Sequence, residues 1–360
     1  MNTTVKNKKK KILIIGADGY IGTALSSYLK RKKLNITTLD TGYFRDGYMS
    51  EVKKSDLNID IRKFKLSELK KYSTVIFLAA IQNDPSGIIS SSTFYNISKK
   101  YTIKIAKQCK KYNIKFIFPS SCSVYGYGNK IFNENSKTFP LTNYSRNKIQ
   151  IERELSKLSN KKFSPIALRF STIFGYSPRI RLDLVINMLC MLAITRQKIV
   201  LNSNGLAWRP HLSIKDVCRA FYFCINSEIN NNKLNIFNVG HNCNNLQIIK
   251  VAKLISKLTG SKITNNLSIN NSYIKDKNVK KGIDKRSYKV DFTKFNKIFP
   301  EFSKKKKIEN EIKDLVNTFK KLKVNEKDFN NYKFYRLQKM DFLLKNKKLN
   351  NKLFWVNKKK

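Results

Sequence analysis

The 360-residue sequence predicts an α/β fold: a doubly wound parallel sheet followed by a smaller C-terminal lobe. Three observations predict it. Short apolar runs alternate with amphipathic stretches through the first half, the pattern of βαβ units. A glycine-rich turn joins the first apolar run to the first amphipathic one. Beyond about residue 174 the regular alternation weakens, and helical and loop segments mix.

In order, Lys11–Gly16 reads as a buried strand, Tyr20–Arg31 as a helix and Asn35–Asp40 as a second strand. Thr74–Ala80 and Lys115–Pro119 are further buried strands, with Ser91–Lys111 a long helix between them. Tyr144–Leu158 is another helix, and Pro165–Phe170 a strand. The expected organisation is a first domain over 1–173 with its core from 11, a lobe over 174–302 that sends segments back to it, and a basic helical extension over 303–360. Leu315, Phe319, Leu322, Phe334, Leu337, Leu343 and Phe354 recur through the lysine-rich end. They predict helices clasping the body.

With 41% hydrophobic residues the chain can bury a full core. Its formal charge of +49 comes from lysines spread along the whole length. No RNP motif, zinc knuckle or arginine-rich helix accompanies them, so the charge reads as a compositional bias of solvated surfaces. No specific nucleic-acid partner is expected, although such a field attracts anionic metabolites. The six cysteines form no CxxC pair, which predicts reduced, mostly buried thiols and no metal site. Leu184–Ile194 is far too short to span a bilayer. The basic start running into Ile12–Ile15 lacks the apolar length of a signal peptide, so a cytoplasmic enzyme is expected.

The stretch Gly16-Ala-Asp-Gly19-Tyr-Ile-Gly22 follows a strand and opens a helix. Glycines there permit a tight turn and bring backbone N–H groups to a pyrophosphate at the positive end of the helix. Asp40, about twenty residues on, ends the second strand, where a carboxylate can accept adenosine ribose hydroxyls and repel a 2′-phosphate. NAD is therefore expected over NADP. Capping of the following turn is the other reading of Asp40. Tyr144 and Lys148 stand four apart, on one face of a helix. A neighbouring ammonium favours phenolate, turning a poor base into a usable one.

With these residues in view, the chain resembles the extended short-chain dehydrogenase/reductases of the NAD-dependent epimerase/dehydratase type over roughly its first 300 residues. The matching stretches run in the family's order: Gly16–Gly22, Asp40, Asp60-Ile61, Val75–Ala80, Phe116–Gly126, Tyr144–Lys148, Leu168-Arg169, Arg209–Asp216 and Phe237–Gly240. Asn83-Asp84-Pro85, Ser177–Arg179, Trp208–Pro210 and Arg286–Tyr288 also belong to the resemblance. It implies a Rossmann domain holding NAD through Gly16, Gly19, Tyr20, Ile21, Gly22, Asp40, Asp60, Ile61, Leu78, Ala79, Ala80, Tyr144 and Lys148. It makes Ser121, Tyr144 and Lys148 catalytic, with Asn96 helping to order the site. Arg209 and Arg286 would grip the diphosphate of a nucleotide-sugar substrate. Ser121, Ser123, Thr172, Val185 and Asn187 would lie against the rest of it.

The implied activity is nucleotide-sugar epimerisation by transient oxidation of a sugar hydroxyl, of the kind used to build lipopolysaccharide or other surface polysaccharides. A nucleotide-sugar dehydrogenase or reductase, a dehydratase, and a non-enzymatic NAD-sensing module are the alternatives. In 4,6-dehydratases an Asp and a Glu follow the catalytic serine or threonine. Here Cys122 and Ser123 stand there, which disfavours that elimination. Ser91–Lys111 and Tyr144–Leu158 correspond to helices through which many relatives dimerise.

Overall fold

A computed structural model describes residues 11–81, 91–265, 279–280, 283–304 and 307–356. The Asn83-Asp84-Pro85 motif lies outside the described residues. Seven strands form one sheet: β1 (Lys11–Ile15), β2 (Asn35–Asp40), β3 (Leu57–Asn58), β4 (Thr74–Phe77), β5 (Lys115–Ser121), β6 (Ile166–Phe170) and β7 (Asn235–Val239). Their order is β7-β6-β5-β4-β1-β2-β3, and every neighbouring pair is parallel. The order reverses between β1 and β4. In open α/β sheets that reversal leaves a crevice beyond the carboxyl ends of the strands.

A parallel sheet covered on both faces needs strands that are apolar throughout. Ile12 and Ile14 of β1 point into one core and Leu13 and Ile15 into the other, as the two-residue period requires. Helix α1 (Tyr20–Arg31) and helix α5 (Ile214–Asn226) pack together in the first core. Helices α2 (Ser91–Lys111) and α3 (Asn143–Leu158) cover the second. α3 starts at a capping box: Ser145 N–H donates to Thr142 Oγ1, and Thr142 N–H donates to Ser145 Oγ, both at 3.1 Å. That cap sets where the helix begins, and hence where Tyr144 stands.

Two strand ends differ from the sequence expectation. β4 stops at Phe77, and Leu78–Ala80 leave the sheet as a loop. β5 continues through Pro119 to Ser121. β4 pairs only with residues 115–117 of β5, so Pro119 sits where β5 has a sheet neighbour on one side alone. A residue without an N–H is tolerable at such a position. The short β3 and the pairing of Tyr127–Phe132 with Ser287–Val290 carry no alternation strong enough to predict.

Helix α4 (Val185–Arg196), from the apolar run after residue 183, is buried against α6 (Ile248–Thr259). Helix α7 (Ile308–Lys321) lays Ile308, Ile312, Leu315, Val316 and Phe319 on one stripe, packed against α4 and α6. The C-terminal segment thus shares the core that covers α1. Helix α8 (Arg336–Lys345) follows and reaches the sheet's crevice. Among the described residues no helix is long and apolar enough to cross a membrane. Five cysteines are buried free thiols and Cys243 is exposed. The outer groove between α2 and α3 is lined by Lys99, Lys100, Lys104, Lys107, Arg153 and Lys157, with Glu154 the one acid. Apposing two such faces would set like charges together, so charge opposes the dimer contact that the resemblance implies.

Replacing the fully buried Phe319 with Ala is expected to cost about 3–5 kcal/mol in urea unfolding, because the cavity opens in the main core. A loss below about 1 kcal/mol would mean that α7 is not part of that core.

Candidate active site

The crevice at the strand reversal is a cleft open to solvent, the place where ligands bind in folds of this kind. Gly16 at the end of β1 has φ +89°, and a Cβ there would lie 2.5 Å from Ala79 N. A Cβ at Gly22 would lie 2.4 Å from Gly16 O. Both positions therefore exclude side chains, which keeps the turn tight and the start of α1 near the cleft floor. No side chain caps α1 at Gly19, so amides at its first turn are left for an anionic ligand. Gly16, Gly19, Leu78, Ala79 and Ala80 line the cleft, as do Asp40, Asp60 and Ile61.

Asp40 is held by its own backbone surroundings. Its Oδ2 accepts from Asp18 N–H at 3.0 Å and its Oδ1 from Gly42 N–H at 2.7 Å. Asp40 therefore caps the turn and also lines the cleft. Burial, with Asp18 nearby, pushes its carboxyl up to about 6. Asp18 is in turn gripped by Arg45 at 2.5 Å and by Ser55 at 2.5 Å. Asp60 is paired with Arg62 at 2.5 Å.

Tyr144 and Lys148 lie side by side on α3, with Lys148 Nζ 5.5 Å from the Tyr144 ring centre. Lys148 is buried and donates to Pro119 O at 2.7 Å, over the ring of Phe118. Burial pulls its ammonium down to about 7, with Glu152 opposing the shift and Arg336 adding to it. Ser121 ends β5 on the strand that Lys148 touches, and its Oγ accepts from Ser123 N–H at 3.2 Å. Ser123 Oγ is buried without a hydrogen-bond partner, a costly state that a ligand would relieve. Cys122 is turned away: its thiol donates to Arg169 O at 3.0 Å, and burial pushes it up out of the reactive range.

Arg209 and Arg286 are brought together by Asp284. Arg209 Nη2 donates to Asp284 Oδ2 at 2.8 Å, and Arg286 Nε to Oδ1 at 3.0 Å. Arg209 also reaches the carbonyls of Trp208 and Arg286. Two guanidinium forks converging on one carboxylate suit a phosphate equally well.

Three expectations are corrected. Asn96 is exposed and not among the cleft-lining residues, whereas Tyr95 and Ser98 on the same helix are buried. Asn96 falls on the far side of the helical stripe, and the ordering bond to this turn comes from Asn147 Nδ2 to Tyr95 O at 3.1 Å. Asn187 is fully buried and braces a loop: Oδ1 accepts from Gly175 N–H at 2.8 Å and Nδ2 donates to Arg181 O at 3.0 Å. Tyr20 points inward, its hydroxyl donating to Gly175 O at 2.8 Å. Tyr20, Ile21 and Gly22 are not among the residues that line the cleft. Thr172 and Val185 are half-buried at the starts of a short strand and of α4.

The sequence also hid two clusters. Glu152 accepts from Ser120 Oγ at 2.5 Å and pairs with Arg169 at 2.6 Å, beneath the serine segment. Only the spacing of Glu152 from Lys148, four residues on, signalled it. Arg181 pairs with Asp183 at 2.8 Å, with the buried Arg179 and the half-buried Arg336 close by. Arg181 and Arg336 both interact electrostatically with Tyr144. His211 and His241 stay outside the chemistry. His211 is buried and held down to about 3 by desolvation and Arg209, while His241 stacks on Phe302 beside Asp216.

The model of the NAD dependent epimerase/dehydratase family matches residues 12–240. A dTDP-D-glucose 4,6-dehydratase of Dictyostelium discoideum is 29% identical over 262 residues, 64% of this chain and 58% of that protein. The chain thus spans less than two thirds of that relative. A UDP-glucose 4-epimerase of Lactobacillus helveticus is 24% identical over 275 residues, 69% of this chain and 82% of that one. Among solved structures, a UDP-glucuronic acid 4-epimerase from Bacillus cereus, in complex with UDP-glucuronic acid and NAD, aligns with a TM-score of 0.70. It is 20% identical, covering 87% of this chain and 99% of that one, which shows the shared fold.

The side-chain-free glycine turn, the open helix start and Asp40 fit NAD. Because the fold holds the Asp40 carboxyl at about 6, above its ordinary value, it takes up a proton as pH falls through that point. Affinity for NAD should therefore drop about tenfold between roughly pH 7.5 and 5, as the ribose loses its carboxylate acceptor. In Asp40→Asn that dependence should flatten. Titration calorimetry at several pH values checks this, and an equally steep loss in the variant would remove Asp40 as the cause.

Proposed function

We propose that this chain, which belongs to the NAD dependent epimerase/dehydratase family, is a nucleotide-sugar epimerase. The observation that carries the choice is the make-up of residues 121–123 beside Tyr144 and Lys148: hydroxyl, buried thiol, hydroxyl. The sugar 4,6-dehydratases that the chain resembles carry an Asp and a Glu there. The acids nearest that segment are committed elsewhere, Glu152 to Arg169 and Ser120, and Glu134 to Asn238 N–H. A relative that is a UDP-glucose 4-epimerase supports the same reading.

In this reading Tyr144 takes the proton from the sugar hydroxyl being oxidised and returns it to that same oxygen, after the sugar has turned over in the pocket to present its opposite face to the returning hydride. Bound NAD supplies the acceptor that takes and gives back the hydride. Lys148 and Arg181 place positive charge near the Tyr144 phenol and favour its ionised form. Ser121 steadies the sugar oxygen, and the partnerless Ser123 Oγ turns to a neighbouring hydroxyl. Arg209 and Arg286 exchange the Asp284 carboxylate for the substrate diphosphate. Residues 174–302 act as the substrate lobe.

Purified protein should release NAD in about equimolar amount on denaturation, since an epimerase regenerates its cofactor each cycle. Incubated with UDP-, GDP-, CDP- or dTDP-sugars, it should give an isomer of unchanged mass from one of them. Tyr144→Phe should lower kcat by roughly 10²–10⁴ while NAD stays bound. A product lighter by one water would make the protein a dehydratase. NADH accumulating in step with product would make it a dehydrogenase.

A further inference from the structure

The family match ends at residue 240, yet two residues of the far C-terminal segment, Arg336 and Leu353, line the dinucleotide cleft beside Gly16, Gly19 and Asp40. Arg336, at the start of α8, is half-buried and donates to Ala80 O at 3.3 Å, on the loop that faces the glycine turn. Its guanidinium also lies 5.5 Å from the centre of the Phe44 ring, another cleft wall. Farther along, the chain folds over the adenosine end. Trp355 Nε1 donates to Thr41 O at 2.7 Å, and Arg62 Nη2 donates to Leu353 O at 2.7 Å while its guanidinium sits 3.5 Å above the Phe354 ring. Tyr43 hydroxyl donates to Leu353 O, and the Tyr43 ring packs 5.5 Å from Trp355. Thr41, Tyr43 and Arg62 all line the cleft, so the residues that would touch adenosine are the ones this segment holds.

We propose that the C-terminal segment from Arg336 to Trp355 is a clasp over bound NAD, with Arg336 binding its pyrophosphate and Leu353–Trp355 closing the adenosine end. The inference rests on the NAD site of the family and does not depend on which sugar reaction the protein performs. A helix start and a glycine turn offer a pyrophosphate N–H groups from one side only, and Arg336 supplies the opposite side with a forked, fully charged donor. Desolvation and the neighbouring Arg181 hold that guanidinium down to about 9, so a bound dianion would relieve a burdened charge. A closed adenosine end makes departure of the cofactor depend on opening the clasp, which suits a cofactor retained between turnovers.

The test uses the full chain without sugar. NAD affinity and its release rate are measured for wild type, Arg336→Gln and Trp355→Ala, with circular dichroism and thermal melting confirming that each variant is folded. Trp355 is 42% exposed, so its removal leaves the core intact. Arg336→Gln should weaken NAD binding by about tenfold or more, as loss of a charge-assisted contact does. Trp355→Ala should speed NAD release several-fold while changing affinity for free phosphate-containing UDP little. Release rates equal to wild type in both folded variants would overturn the clasp. If Arg336→Gln bound NAD normally but lost affinity for UDP, the arginine would serve the substrate diphosphate, and its assignment here would fall. Failure of wild type to bind NAD at all would strike the cofactor reading itself, a result distinct from either.

Discussion

The buried pair between Glu152 and Arg169 is the interaction on which the site's geometry depends. Arg169 lies on β6 and Glu152 on α3, so the pair ties the helix to the sheet at one fixed height. Ser120 donates to the same carboxylate, which brings the end of β5 into the tie. Tyr144, Lys148 and Glu152 follow at four-residue steps on one face of α3. With Glu152 anchored, Lys148 meets Pro119 O one turn above it, and Tyr144 lies one turn beyond Lys148. Removing one partner of such a pair leaves a charge stranded in the core, a change usually worth several kcal/mol. The positions of Tyr144 and Lys148 are thus set by the residues beneath them.

Much of this was legible in the sequence, and the reasons are local. β1, β2, α1 and α2 carry strong periodicity and plain boundaries, and the glycine turn has a steric logic that requires no tertiary information. The pairing of Tyr144 with Lys148 follows from helical spacing alone. What was not legible depends on which side of an element faces inward. Asn96 was assigned to the site by resemblance, but the rotation of α2 buries its neighbours instead. Asn187 and Tyr20 carry the expected polar atoms and spend them on bracing Gly175. The strands Leu57–Asn58 and Ser287–Val290 are too short or too polar to announce themselves.

Arg336 illustrates a harder case. Nothing around it in the sequence resembles a binding motif, and it reaches the cleft only because α7 packs into the main core and turns the chain back toward the sheet. The lysine-rich composition of this region conceals the point further, since a single functional cation among many solvated ones has no compositional mark. Hydrophobic recurrence through Leu315, Phe319, Phe334 and Leu343 was the only indication that the segment was structured, and it carried no information about function.

The buried arginines near the cleft have a consequence for the life of the chain. Arg179, Arg181 and Arg336 are gathered around Asp183, and desolvation with mutual repulsion weighs on Arg179 and Arg336. A dianionic ligand would add negative charge to this predominantly cationic cluster. Its occupancy then shifts the folding equilibrium itself, because whatever binds only the native form draws the population toward it. Cellular supply of the dinucleotide would in this way help to decide how many copies of the protein persist, over and above how fast each one works.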